Sequence, residues 1–210
     1  MTRAPGATRQ SSVQSRRLSV NERLIVAMDF TALAPAVAMA ERLRGVVRVL
    51  KVGSVLFTAC GPEAVRRLRA LGFEVMLDLK FFDIPNTVEL SCRSATRLRV
   101  SRLTVHAQGG AEMLQAAVRG VREEAQRIRP ALQRRPKVLA VTRLTSEPVP
   151  PTISTGEGPS RRIESGGSRA MWERVLGLAE AAREAGCDGV VASAQEAGRL
   201  RRSEIGRAHV

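Results

Sequence analysis

The sequence predicts an α/β protein of the (β/α)8 barrel type, with about six of the eight strand–helix units present. Continuous apolar runs rich in Val, Ile and Leu alternate with helical segments, a pattern typical of parallel strands covered by helices. Polar residues recur at the run ends: Asp29 to Lys51, Lys51 to Asp78 and Asp78 to His106 are 22, 27 and 28 positions apart. This regular unit favours a barrel, whose active sites lie at the carboxyl ends of the strands. No GxGxxG motif follows the first run, which argues against a dinucleotide-binding sheet.

The six strands are predicted from short apolar runs bounded by polar or turn residues. They cover residues 24–29, 46–53, 73–79, 103–107, 138–142 and 188–193. Helical spacing of apolar residues predicts helices over 34–43, 61–71, 88–98, 111–128 and 172–185. Pro62 suits the first turn of the second helix, and Gly186 ends the last one. Residues 84–87 are predicted to be a loop before the third helix, because Pro85 ends the extended run.

One catalytic domain is predicted over residues 20–202. Residues 1–19 carry four Arg and no acidic residue, which predicts a disordered basic tail. Residues 146–169 are rich in Pro, Gly and Ser, which predicts a mobile loop. In a barrel this loop would hang over the active face as a lid, or else it is an insertion without a role.

Composition and charge exclude several classes of protein. The net charge is +14, yet aromatic residues make up only 3% and Tyr is absent, so surfaces that stack nucleic-acid bases are scarce. We therefore expect an anionic small-molecule substrate and no specific nucleic-acid partner. No apolar stretch is long enough to span a membrane. The three cysteines are widely spaced and lack a CxxC or Cys/His pattern, which predicts reduced thiols in a cytoplasmic protein.

The strongest functional signal is the charged end of the third strand. Asp78 and Lys80 are two positions apart, so an extended chain points both to one face, and Asp83 follows where the strand should turn. The 34 basic residues include only three Lys, and Lys51 and Lys80 each end a strand-like run. An ammonium can release a proton near neutral pH, whereas a guanidinium cannot. These residues alone leave two possibilities open, a structural ion pair or a catalytic group.

Several motifs together resemble the orotidine 5′-phosphate decarboxylase family. They are LIVAMDF at 24–30, LKVG at 50–53, LDLKFFDIPNT at 77–87, TVHAQGG at 104–110, LAVTRLTS at 139–146 and GVVASA at 189–194. The resemblance spans about residues 24–202, and DLKxxDIPNT is its most specific part. It implies a (β/α)8 barrel that converts orotidine 5′-monophosphate into uridine 5′-monophosphate and carbon dioxide in pyrimidine biosynthesis. It also implies a homodimer and an active site without a metal or cofactor.

The resemblance implies a role for individual residues. Lys80 would donate the proton to C6 of the pyrimidine, within an alternating charge network with Lys51, Asp78 and Asp83. Asp83 would be shared across the dimer interface, while Asp29 and Lys51 would contact the ribose hydroxyls. The remaining contacts to ribose, base and pocket would come from Leu79, Phe81, Phe82, Ile84, Pro85, Asn86, Thr87 and Thr145.

The sequence departs from the family pattern in several places. Phe82 stands where many members have His, and Arg143 replaces a usually apolar residue. The family's last two strand–helix units, which bind the phosphate group of the substrate, have no counterpart here. Residues 204–210 read like the translation of a sequencing adapter, so we expect a truncated gene fragment in which 203–210 is a non-native tail. We expect His106 to be a neutral, hydrogen-bonded side chain rather than a general base.

Two other functions remain open at this stage. A sister barrel that decarboxylates a sugar phosphate would hold Mg²⁺ with the carboxylates of the Asp-x-Lys-x-x-Asp motif at 78–83. Alternatively, the chain is an inactive fragment that binds polyanions through its Arg-rich ends.

Overall fold

Six parallel strands curl into a half-barrel, and a short seventh strand continues the sheet. The computed structural model describes residues 20–129, 132, 134–144, 166–203 and 208–209. The strands are β1 Ile25–Ala27, β2 Val49–Gly53, β3 Glu74–Phe81, β4 Arg102–His106, β5 Lys137–Val141, β6 Gly189–Val191 and β7 Ala208–His209. Each strand pairs in parallel with the next one along the chain, in the order β1 to β7. The predicted α/β class and incomplete barrel are confirmed.

Helices connect the strands, as parallel pairing requires. They are α1 Val20–Arg23, α2 Leu33–Arg42, α3 Ser54–Cys60, α4 Pro62–Ala70, α5 Pro85–Arg97, α6 Gly110–Arg127, α7 Gly166–Glu184 and α8 Ala194–Arg202. A short 3-10 helix, Ala107–Gly109, precedes α6. None of the helices in the described part of the chain is long and apolar enough to cross a membrane.

The prediction of a loop over 84–87 was wrong. Helix α5 begins at Pro85, so three of these four residues lie in its first turn. Proline is well suited to this position, because its φ angle is already helical and the first turn does not need its missing N–H group. Helix α7 likewise begins at Gly166, inside the segment predicted as a mobile loop, and residues 146–165 lie outside the described residues.

The sheet packs on both faces. A large core between the strands and the helices includes fully buried Leu50, Leu77 and Leu103. A smaller cluster of Val49, Met76 and Leu139 fills the concave face. Because side chains alternate along a strand, Val49 shares its face with Lys51, and Met76 shares its face with Asp78. The charged side chains therefore lie on the concave face, nearer the carboxyl ends of the strands than the apolar cluster.

The sheet is open at both edges in the described part of the chain. Strand β1 pairs with β2, and at the other end β7 pairs with β6 through Val190↔Ala208 and Val191↔His209. The prediction of six strands missed β7, because two residues are too short to form a recognisable apolar run. The predicted basic tail over 1–19 lies outside the described residues, and the predicted non-native origin of 203–210 stays a prediction.

Candidate active site

Four charged side chains form a continuous network at the carboxyl ends of β1, β2 and β3. The Lys51 ammonium lies 3.5 Å from Asp29 Oδ1 and 3.4 Å from Asp78 Oδ2. The Lys80 ammonium lies 2.9 Å from the same Asp78 oxygen. The four side chains thus alternate in charge in the order Asp29, Lys51, Asp78, Lys80. The alternating network implied by the family resemblance contained Asp83 in place of Asp29.

Asp78 is the most buried member of the network. Its side chain is 11% exposed, compared with 23% for Lys51, 35% for Lys80 and 58% for Asp29. Burial alone acts to raise the pKa of Asp78, but the hydrogen bond and charge of Lys80, the Thr104 hydroxyl and the charge of Lys51 together lower it. Asp78 therefore stays ionised near neutral pH and holds two ammonium groups that are themselves partly exposed.

Lys80 has an unusual backbone conformation. Its φ angle is +49°, in the left-handed region that non-glycine residues seldom adopt. The pairing of β3 with β4 also shifts register between Leu77 and Phe81. Asp78 and Lys80 do meet on one face as predicted, but through this irregular segment rather than through a regular extended strand. Strained backbone of this kind costs roughly 1–3 kcal/mol and is concentrated at functional sites.

Two residues that the sequence analysis did not assign to the site support the network. Thr104 on β4 is fully buried, accepts a hydrogen bond from the Lys80 backbone N–H at 2.9 Å and donates one to Asp78 Oδ1 at 2.9 Å. A Cβ atom at Gly53 would lie 3.1 Å from Lys51 Nζ and 3.3 Å from Asp29 Oδ1, so the site leaves room only for glycine there without a shift. Thr104 could have been found from its position two residues before His106, on the same face of β4.

The structure does not bring Asp83 into the network. Its side chain is exposed and accepts a hydrogen bond from the Ile84 N–H at 2.7 Å, and it forms no ion pair with the described residues of this chain. The implied sharing of Asp83 across a dimer interface stays a prediction. Thr145 lies outside the described residues.

The residues predicted to surround the substrate follow Lys80 around the rim. Phe82 is 59% exposed and Ile84 is 66% exposed, whereas Leu79 and Phe81 are half-buried. The Phe82 ring packs against His106, with 5.4 Å between ring centroids. Pro85, Asn86 and Thr87 form the first turn of α5. Their contacts to substrate stay predictions.

A lysine ammonium lies between two carboxylates of the network. The described residues include no group of three His, Cys, Asp or Glu side chains placed to hold a metal ion. The Lys51 ammonium instead occupies the position between the Asp29 and Asp78 carboxylates, where a cation would be attracted.

Comparison with known proteins assigns the chain to a family. A sequence model described as the orotidine 5′-phosphate decarboxylase / HUMPS family matches residues 22–208. The chain belongs to this family. The resemblance inferred from DLKxxDIPNT and the other motifs is therefore confirmed.

Individual relatives in the family agree with this assignment. A protein from Moorella thermoacetica named orotidine 5′-phosphate decarboxylase is 45% identical over 181 residues, covering 86% of this chain and 67% of that protein. One of the same name from Halorhodospira halophila is 46% identical over 176 residues, covering 83% of this chain and 66% of that protein. This chain thus spans about two thirds of the length of these two relatives.

A solved structure supports the fold assignment. The orotidine 5′-phosphate decarboxylase from Lactobacillus acidophilus superimposes with a TM-score of 0.67 and 32% sequence identity, covering 90% of this chain and 79% of that chain. The half-barrel therefore has the fold of the family over most of its length.

Proposed function

We propose that this chain carries the catalytic network of an orotidine 5′-phosphate decarboxylase, which converts orotidine 5′-monophosphate into uridine 5′-monophosphate and carbon dioxide. One observation carries the proposal: the Lys80 ammonium lies 2.9 Å from a buried Asp78 carboxylate, within an alternating charge network at the mouth of the half-barrel. Family membership supports the same reaction, because the relatives reported above are named for it.

The reaction needs a cation that is also an acid. When the bond between C6 and the carboxylate breaks, the electron pair stays on C6 and carbon dioxide leaves. The Lys80 ammonium stabilises this negative charge and then transfers a proton to C6, and the resulting amine regains a proton from water. Asp78 holds the ammonium charged and aimed before the step, and its proximity to the substrate carboxylate would disfavour the bound ground state.

The remaining network residues would position the nucleotide. Asp29 is the most exposed member of the network and pairs with Lys51. The Asp29 carboxylate could accept hydrogen bonds from the ribose hydroxyls, and the Lys51 ammonium could donate hydrogen bonds to them. Leu79, Phe81 and the exposed Phe82 would line the base and ribose. Thr145 would line the substrate pocket.

We also propose that the active form is a homodimer. Exposed Phe82 and Ile84 flank exposed Asp83, and apolar side chains around a charged group are typical of an interaction surface. A second copy packed there would bring its Asp83 toward the Lys80 of the first. The proposed enzyme is cytoplasmic and acts on a small-molecule substrate.

The substitution Lys80→Arg tests the acid role directly. Arginine keeps the positive charge but does not give up a proton at neutral pH, so turnover of orotidine 5′-monophosphate should fall at least ~10³-fold. Binding of uridine 5′-monophosphate, measured by calorimetry, should remain within about tenfold. The matched control is Lys137→Arg at the amino end of β5, at the other end of the strands, which should turn over normally.

Two outcomes would contradict the proposal. Near-normal turnover by the Lys80→Arg variant would remove Lys80 from the acid role. Absence of turnover by the unmodified chain, at substrate concentrations that saturate its nucleotide binding, would show that this chain lacks the activity. Loss of activity on adding a chelator would instead favour the Mg²⁺-dependent sister reaction.

A further inference from the structure

A single hydroxyl group joins the two halves of the Asp78–Lys80 pair. Thr104 Oγ1 accepts a hydrogen bond from the Lys80 backbone N–H and donates one to Asp78 Oδ1, each at 2.9 Å. Thr104 is completely buried, so water does not compete for these two bonds. The hydroxyl therefore contacts the backbone of one network residue and the carboxylate of the other.

The segment that Thr104 contacts would not hold its shape by sheet pairing alone. The register of β3 against β4 shifts between Leu77 and Phe81, and this irregularity contains Lys80. The Lys80 N–H bonds to a side chain on β4, and its φ angle of +49° is unfavourable for a residue with a Cβ. A conformation of this kind persists only where surrounding contacts fix it.

The direction of the Lys80 side chain depends on that conformation. With φ at +49°, the side chain leaves the strand so that its ammonium meets Asp78 Oδ2 at 2.9 Å. Return of Lys80 to an ordinary extended conformation would keep it on the same face as Asp78, but it would change the direction of the Cα–Cβ bond and so displace the ammonium from its present position. The acid must stand within hydrogen-bonding reach of C6, so such a displacement would slow proton transfer.

We propose that Thr104 is a positioning residue, whose hydroxyl locks the irregular Lys80 backbone and the Asp78 carboxylate into one unit and so aims the Lys80 ammonium. A hydroxyl suits this position because it accepts and donates at once, whereas valine has the same shape and does neither. Serine keeps both hydrogen bonds but rotates more freely about χ1. The kinetic consequence rests on the proposed decarboxylase function, but the structural consequence does not.

The kinetic test compares Thr104→Val with Thr104→Ser. Loss of the hydroxyl should lower kcat about 10–100-fold, the effect of losing a hydrogen bond to a charged group, while KM changes less than about threefold. Serine should restore kcat to within about threefold of the unmodified chain. The matched control is Thr96→Val, because Thr96 is equally buried but its hydroxyl bonds to Cys92 O within α5, and this variant should keep its kcat.

The structural test uses the scarcity of lysine. The chain has only three Lys residues, so labelling with [15N]lysine gives three backbone amide signals, which Lys51→Arg and Lys137→Arg assign. The Lys80 amide should be protected from hydrogen exchange in the unmodified chain and in Thr104→Ser, and should exchange at least about tenfold faster in Thr104→Val. The Lys137 amide, which bonds to Ser101 O, should be unaffected.

The two tests separate the possible failures. Fast exchange of the Lys80 amide in the unmodified chain would overturn the inference, even if the valine variant did not fold. A Thr104→Val variant with unmodified kcat and unmodified Lys80 exchange would also overturn it. An unmodified chain that shows no turnover would refute the proposed function, while the exchange comparison would still decide the role of Thr104.

Discussion

At the scale of single residues, the site depends on one buried carboxylate with two cationic neighbours. Asp78 pairs with both lysines of the network, and each lysine is far less buried than a core residue. Burying an unpaired carboxylate is costly, but the carboxylate of Asp78 interacts with two ammonium groups and the Thr104 hydroxyl. The resulting carboxylate is fixed, whereas the ammonium groups keep access to a substrate.

Gly53 should control the placement of Lys51. A methyl group at Gly53→Ala would lie 3.1 Å from Lys51 Nζ and 3.3 Å from Asp29 Oδ1, which is tighter than ordinary contact. Both atoms end movable side chains, so they can shift and the free energy of unfolding should change by less than ~1 kcal/mol. The shift should nevertheless weaken binding of uridine 5′-monophosphate about 5–50-fold, measured by calorimetry.

The control for this substitution is Gly198→Ala in α8. A methyl group there would meet only Arg202 Nη1 at 3.8 Å, an ordinary contact. Nucleotide affinity should therefore remain unchanged in Gly198→Ala. Equal affinity in the Gly53→Ala variant would mean that the spacing of Lys51 and Asp29 does not matter for binding.

Apart from Asp83, the sequence predicted which strand-end charges lie close together better than it predicted the residues that support them. Asp29, Lys51, Asp78 and Lys80 end strand-like runs of neighbouring units, and their proximity follows from parallel pairing. The left-handed conformation of Lys80 depends on the register shift between two strands, a relation between distant segments that no local pattern contains.

At the scale of elements, helices α5 and α6 pack closely against each other. The buried carboxylate of Glu124 on α6 is 1% exposed and accepts hydrogen bonds from Arg97 Nε at 2.9 Å and Arg127 Nε at 3.0 Å. Hydrogen bonds from Arg127 and Arg97 lower the pKa of Glu124 to about 2. This ion cluster joins the end of α5 to the last turns of α6.

Stability should therefore depend on pH through Glu124. The ordinary pKa of a Glu is 4.5 and that of Glu124 in the fold is about 2, so the unfolded chain binds the proton more readily. The stabilisation is present above about pH 4.5 and is lost as pH falls from about 4.5 toward about 2. Urea unfolding across this range should show the loss, and Glu124→Gln should lose roughly 1–3 kcal/mol at pH 7 and flatten the dependence.

The matched control for this prediction is Glu63→Gln. Glu63 forms an exposed pair with Arg66, with half of its side chain accessible, and such pairs contribute little. Its substitution should change stability by less than ~0.5 kcal/mol. A Glu124→Gln variant as stable as Glu63→Gln at pH 7 would show that the buried cluster does not stabilise the helix pair.

Gly120 allows the close approach of the same two helices. A methyl group there would lie 2.5 Å from the backbone oxygen of Glu89, which cannot move without shifting α5. Gly120→Ala should therefore lower the free energy of unfolding by about 1–3 kcal/mol, although alanine favours helices over glycine. Gly177→Ala in α7 has nothing within 4 Å and should instead stabilise by about 0.5–1 kcal/mol. Urea unfolding of both variants measures the difference, and equal stability would show that α5 and α6 are not held close at Gly120.

The sequence predicted most elements, and its errors have physical causes. Apolar periodicity located strands β1 to β6 and one helix in each connection between them. It missed α3, Ser54–Cys60, because only seven residues separate two glycines and the run is too short for a helical period. It assigned Pro85 to a loop because proline ends a strand, although proline also begins a helix well.

At the scale of the whole molecule, the sheet is a partial barrel. Strands β1 and β7 form its two edges in the described part of the chain, and open edges promote aggregation. The chain spans 67% of the length of the Moorella thermoacetica relative, so about a third of that relative has no matched counterpart in this chain. The predicted count of strands came close because each unit repeats the same apolar pattern, whereas closure depends on strand number, tilt and register together.

A chimera should show what closure contributes. Fusing the part of the Moorella thermoacetica relative that this chain does not match after Arg202 should raise kcat/KM for orotidine 5′-monophosphate at least about tenfold, because binding of remote substrate groups supports the chemical step. It should also raise the melting temperature and reduce aggregation measured by light scattering. A chimera no more active and no more stable than the unmodified chain would contradict this expectation.

We propose that Lys80 protonates C6 of the pyrimidine after carbon dioxide leaves. Turnover of orotidine 5′-monophosphate in deuterium oxide, followed by nuclear magnetic resonance of the product, tests this step. The unmodified chain should give uridine 5′-monophosphate with deuterium at C6, and Lys80→Arg should give no such product. Deuterated product formed equally fast by Lys80→Arg, or no product from the unmodified chain, would contradict it.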